Sequence, residues 1–132
     1  MTKEDIIAQL EGYLQEANGE LFVAHTQRLA VEELLQRAKN PMNQESLHLI
    51  VTSAREATQA ADTAAMNVKK IMQPAHDLLK AAEESPHQPI LNIREIKELK
   101  EFRDIVNADG QATEEAAAAH NALDEIEDIA GE

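Results

Sequence analysis

Apolar residues recur along this chain in alternating steps of three and four over three long segments. The first stripe is Ile7, Leu10, Leu14, Ala17, Leu21, Ala24, Arg28, Val31, Leu35 and Ala38. The second is Leu47, Ile50, Ala54, Ala57, Ala61, Ala64, Val68, Ile71, Ala75, Leu78 and Ala82. The third is Phe102, Ile105, Asp109, Ala112, Ala116, Ala119, Leu123, Ile126 and Ala130. Such steps keep side chains on one face of an α-helix and form a heptad seam. The pattern predicts an all-α fold: an elongated antiparallel helical hairpin plus a third helix, whole or broken. The result is a three- to four-helix bundle with coiled-coil-like packing.

Local signals place the boundaries. Thr2 and Asp5 stand in capping-box positions, and Arg37 and Lys39 suit the negative end of a helix running to about Lys39. Gly12 and Asn18-Gly19 lie inside it; Asn-Gly ordinarily marks a turn, but the heptad register passes through without a slip, so a continuous, weakened helix is expected, with a break near Gly19 as the alternative. Asn40-Pro41-Met42-Asn43 reads as the turn, with Asn40 or Asn43 capping the next helix and Pro41 at its first position. The second helix is expected from about Gln44 to Glu84, kinked near Ile71 by Pro74. So short a turn makes residues 2–84 an antiparallel hairpin, with Leu14 near Val68 and Leu21 near Ala61. A connection at 85–91 holds Pro86 and Pro89. A third helical region, 92–130, opens on an Asn92/Glu95 capping box and a Leu91/Ile96 staple. Asn107-Ala-Asp109-Gly110 either divides this region or weakens one long helix. The 132 residues are read as a single domain.

Composition sets the character of the core. Trp and Cys are absent, and Tyr13, Phe22 and Phe102 are the aromatic residues. The core is therefore aliphatic and rich in Ala, and the alanines at 54, 57, 61 and 64 let backbones approach closely. Disulfide and thiolate chemistry are excluded. The opening MTKEDIIAQL is charged and resembles no signal peptide, and no run reaches the ~18 apolar residues of a membrane span. A cytoplasmic location is the expectation.

Charge is unevenly spread. Residues 104–132 hold nine acidic residues and no basic one, −9 of a net −13. Such a surface repels nucleic-acid phosphates and anionic lipids, so neither nucleic acid nor membrane is expected as a partner, whereas a basic protein is compatible. Asp124, Glu125, Glu127 and Asp128 fall in the last turns of the third helix, where the dipole disfavours each by ~0.3–1 kcal/mol. With Glu114 and Glu115 they form the candidate partner-binding residues; a solubilising tail is the plain alternative. Arg28 occupies an otherwise apolar seam position. Its favoured reading is a stem snorkelling to solvent; the sharper one is a register-fixing pair with Asp62, Glu56 or an acid of the third helix.

Catalytic and metal patterns are incomplete. Glu45-Ser-Leu-His48 has the spacing of a carboxylate-bridged di-metal bundle once, and Glu84-Ser-Pro-His87 repeats it only across a proline. His25-Thr-Gln-Arg28-Leu29 has the look of a phosphorelay box but lacks its acidic, Pro and Lys-Gly companions. Asn107–Thr113 fits the middle of an EF-hand loop, yet Ile105 and Ala116 stand where the first and last ligands belong. No nucleophile elbow or phosphate-cradling Gly loop is present. No enzyme activity, metal or cofactor is expected.

The reading is a non-enzymatic helical protein–protein interaction module. A small acidic inhibitor of immunity type, or a chaperone or adaptor binding a basic or helical partner, fits it. The alternatives are a homo-oligomeric bundle using Leu29, Leu34, Leu49, Met72 and Leu79 beside the seams, a secretion-associated helical hairpin, and a His phosphotransfer or metal-binding bundle. The layout of residues 2–84 is similar to that of small secretion-associated hairpin proteins. Those carry a Trp-x-Gly turn, which Asn40-Pro41-Met42-Asn43 does not reproduce.

Overall fold

The computed structural model describes residues 2–40, 46–84, 95 and 99–132. Three helices form, α1 (Lys3–Lys39), α2 (Leu47–Glu83) and α3 (Lys100–Ala130), and the described residues contain no strand. Each helix packs on the other two. Cross-helix pairs give the directions. Arg55, Asp62 and Lys69 of α2 meet Glu127, His120 and Asp109 of α3, so these two run antiparallel. His25 and Lys39 of α1 meet Glu115 and Glu125 of α3, so these run parallel. The bundle is therefore up, down, up, and its first two helices form the antiparallel hairpin expected from the sequence. At ~1.5 Å per residue, the 37 residues of α1 span about 55 Å.

The core divides by side-chain size. At one end Ile6, Leu10, Leu78, Leu79, Leu99 and Ile105 form a cluster, flanked by Tyr13, Leu14, Met72 and Phe102. The edge of one ring meets the face of the other where His76 and Phe102 pack, centroids 5.2 Å apart. Toward the opposite end Val31, Leu35, Ile50, Val51, Leu123 and Ile126 are buried. Between them lies a waist of alanine, with Ala17, Ala24, Ala54, Ala61, Ala112 and Ala119 all fully buried. Small side chains let three backbones draw together, trading buried area per residue for close packing. Leu21 packs against the larger of the two clusters, which also holds Ala61.

Helix ends and interruptions show where local signals decide and where packing overrides them. Thr2 and Asp5 form the reciprocal capping box: the Asp5 N–H donates to Thr2 Oγ1 (3.2 Å) and the Thr2 N–H to Asp5 Oδ2 (2.9 Å). Asn40 is the C-cap of α1, its N–H donating to the Arg37 carbonyl; it does not cap α2, whose N-cap is Ser46. Pro41 and Asn43 lie outside the described residues. α1 continues through Gly12 and Asn18-Gly19 because these sit on its solvent side while Ala17 and Ala24 are held in the core. α2 continues through Pro74 to Glu83. α3 is one helix through Asn107–Gly110, so this segment is neither a break nor a calcium loop.

The third helix does not run unbroken from residue 92. Leu99 is extended (φ −66, ψ 114) and separates helical Glu95 from Lys100. Its side chain is buried in the end cluster. The Asn92 cap and the Leu91/Ile96 staple lie outside the described residues. At the other end Gly131 adopts the left-handed conformation (φ 75). The Glu132 N–H reaches the Glu127 carbonyl (3.0 Å) and the Gly131 N–H the Asp128 carbonyl (3.3 Å), a Schellman closure.

Candidate functional site

Arg28 decides the α1–α3 contact. Its seam position points it at α3 rather than along the surface. The guanidinium donates from Nε to Glu115 Oε2 (2.5 Å) and from Nη1 to Glu32 Oε2 (2.8 Å). His25 Nδ1 lies 3.1 Å from the other Glu115 oxygen and 3.3 Å from Arg28 Nη2. The favoured snorkelling reading is thus replaced by the sharper one: Arg28 pairs with an acid of the third helix, and both side chains are only 21 % exposed. A guanidinium held near carboxylates on two helices is a register device. The hydrogen bond from Arg28 is the main cause that holds the Glu115 carboxyl below its usual range; partial burial opposes it, and His25 adds to it. The same contact raises the Arg28 guanidinium further.

A second register device binds α2 to α3. Arg55, Asp62 and Lys69 are spaced by seven on one flank of α2, giving the charge order plus, minus, plus. Opposite them α3 presents Glu127, His120 and Asp109, at 3.1, 2.7 and 3.0 Å. Lys69 also donates to Thr113 Oγ1 (3.1 Å), and Arg55 lies 3.6 Å from Glu132. Asp62, one of the partners the sequence offered for Arg28 beside Glu56 and an acid of the third helix, belongs instead to this ladder, which the sequence analysis did not foresee. The seven-residue spacing of alternating charges beside the second stripe was the available signal.

These contacts sort the candidate acids. Glu115 serves Arg28 and His25, Glu127 serves Arg55, and Glu125 stands 4.0 Å from Lys39. Glu114, Asp124 and Asp128 are exposed, and their side chains make no hydrogen bond or ion pair among the described residues. Cations from α1 and α2 thus offset the inner flank of α3, while its outer side remains an acidic ridge from Glu114 at mid-helix to Asp128 in the last turn, where the helix dipole is also negative.

Beside this ridge, α1 and α3 leave a groove in two segments. One is lined by Glu32, Glu33, Leu35, Gln36, Ala118, Asn121, Ala122 and Glu125. The other is lined by Leu14, Asn18, Asp104, Asn107, Ala108 and Gln111. Of the leucines and methionine placed beside the seams, Leu79 is in the core, and Leu34 and Met72 pack against it. Leu29 and Leu49 stay exposed, as do Phe22 and Met66.

The described residues hold no group of three or more His, Cys, Asp or Glu arranged to bind a metal. His48 lies 3.2 Å from Glu132 rather than beside a bundle carboxylate; Glu45 and His87 lie outside the described residues. No described helix is long and apolar enough to cross a membrane. Comparison with protein-family models, curated proteins and solved structures gave no match. The site therefore speaks through its own geometry.

Proposed function

We propose that this chain is a non-enzymatic, cytoplasmic protein–protein interaction module, an inhibitor or adaptor that takes a basic partner on its acidic side. One observation carries the reading: internal cations are spent on the inner acids of α3, and Glu114, Asp124 and Asp128 are left outward without one. Of these, Asp124 and Asp128 lie in the last turns of α3, where the dipole makes negative charge costly unless a ligand offsets it. A basic protein surface is the simplest such ligand, steered in by the field of a −13 chain.

The test is capture from the source lysate at low salt with the purified chain, repeated at about 0.5 M salt, where the Debye length is a few Å. Beside it runs a variant carrying Glu114→Gln, Asp124→Asn and Asp128→Asn. One dominant basic protein, released by salt and not retained by the variant, is the expected result. Equal capture by both baits, or none, contradicts the reading.

A further inference from the structure

The two apolar clusters of the core meet along one plane. On α1, Leu14 packs with the end cluster and Ala17 with the larger one. On α2 the change falls between Ile71 and Met72, and on α3 between Ile105 and Ala108. Polar pairs place these positions at one level of the rod. Asn67 donates to Glu20 (3.3 Å) and Lys69 to Asp109 (3.0 Å). Leu14 and Asn18 also share one groove with Asp104, Asn107, Ala108 and Gln111, so a largely polar cleft enters between α1 and α3 at this level.

Each helix is weakened at the same plane. Gly19 stands two residues past Ala17, and Gly110 two residues past Ala108. Glycine holds a helix less firmly than any residue except proline. On α2 Pro74 stands two residues past Met72. It has no N–H to donate to the Lys70 carbonyl, so the helical hydrogen bond that would span Ile71 and Met72 is missing. The cross-helix ion pairs also divide there. Arg28 with Glu115, Lys39 with Glu125, Arg55 with Glu127 and Asp62 with His120 all tie the part that holds the larger cluster. Beyond the plane the described contacts between helices are mainly apolar, with Lys3 and Glu95 3.8 Å apart at the margin.

A rod whose core, backbone bonding and cross-links all change at one level parts most readily there. We infer that this plane is a joint. Residues 3–14, 72–83 and 99–105 form a unit that opens cooperatively while the remainder stays folded. Opening uncovers Ile6, Leu10, Leu78 and Leu79 and leaves the Arg28–Glu115 pair and the acids from Glu114 onward in place. The bundle is thus a fixed stem with an end that presents an apolar surface only when open. The inference goes beyond the acidic-partner reading and stands independently of it.

Native-state hydrogen exchange of the full chain tests it, read amide by amide by NMR at about pH 7 in urea below the unfolding transition. The expected result is two plateaus. Leu10, Leu14, Leu78, Leu79 and Ile105 share one urea dependence and one protection factor, at least about tenfold below that of Ala24, Val31, Ala61, Ala116 and Ala119. A variant carrying Gly19→Ala, Pro74→Ala and Gly110→Ala is expected to narrow the gap to less than about threefold. One plateau for the whole chain overturns the inference. So does protection that rises smoothly inward from the helix ends, which is fraying. A step that the variant leaves unchanged contradicts it as well, because Gly19, Pro74 and Gly110 would then have no part in the opening.

Discussion

Arg28 and Glu115 are the residues whose chemistry ties α1 to α3, and their linkage to pH has a definite sign. The folded carboxyl is held below its unfolded value of about 4.3, chiefly by the Arg28 hydrogen bond. Its contribution is therefore present above pH ~4.3 and is lost as pH falls through the lower folded value. Glu115→Gln is expected to cost about 1–2 kcal/mol at pH 7, allowing for partial exposure of the pair, and to flatten the fall in stability between about pH 5 and pH 3. Urea melts across that range read both effects; an unchanged acid limb contradicts the assignment. Thr58 is the opposite case. It is 2 % exposed and its hydroxyl has no hydrogen-bond partner among the described residues. Thr58→Val keeps the shape and removes an unsatisfied group, so a gain of about 1 kcal/mol is expected in the same melts. Sequence reading singled out Arg28 because a charge in an apolar stripe is visible in one dimension. It ranked the wrong outcome first because the partner lies 87 residues away and only the parallel α1–α3 packing brings it near. Thr58 lies four residues after Ala54 and three before Ala61, on the face they bury, but its polar side chain kept it out of the apolar stripe.

The helices themselves were largely legible, because a heptad stripe states both that a segment is helical and which side faces inward. The alanines of the waist occupy the predicted seam positions on all three helices. The Thr2/Asp5 box fell where the spacing put it. What the sequence left open was whether Asp109-Gly110 breaks its helix, and packing of Ala108 and Ala112 on either side closes that question in favour of continuity. The extended Leu99 was not legible, since its apolar character fits a helix stripe equally well. Glycine gives the element-scale prediction. A Cβ built on Gly19 or Gly110 meets nothing within 4 Å, and neither has positive φ. Gly19→Ala and Gly110→Ala should each stabilise by about 0.5–1 kcal/mol. Gly131 has the same open space but a φ of 75°, so Gly131→Ala should destabilise by about 1 kcal/mol. Opposite shifts in melting temperature for the two classes test the helix assignment; a loss with Gly19→Ala would show that Asn18-Gly19 is a turn.

At the scale of the whole molecule, charge is arranged as much as packing is. Both flanks of α3 carry ion pairs, with Arg55, Lys69 and the Asp62–His120 contact on the α2 side and Arg28 and Lys39 on the α1 side, whereas Glu114, Asp124 and Asp128 on its outer side have none among the described residues. Inner acids that are paired and an outer ridge that is not are the arrangement on which the proposed basic partner rests. The excess of acids after Arg103 was plain from the sequence, but their division into inner and outer sets required the fold. The same asymmetry separates a partner-binding module from a self-assembling scaffold, because a scaffold must cover that face with its own copies. Sedimentation equilibrium from about 1 to 100 µM in 0.15 M salt tests this most directly. A single species of 14.6 kDa throughout is predicted. A dimer or larger species that reverts to monomer with Phe22→Ser and Leu29→Ser would mean that the exposed apolar positions of α1 serve self-association, and would contradict the account.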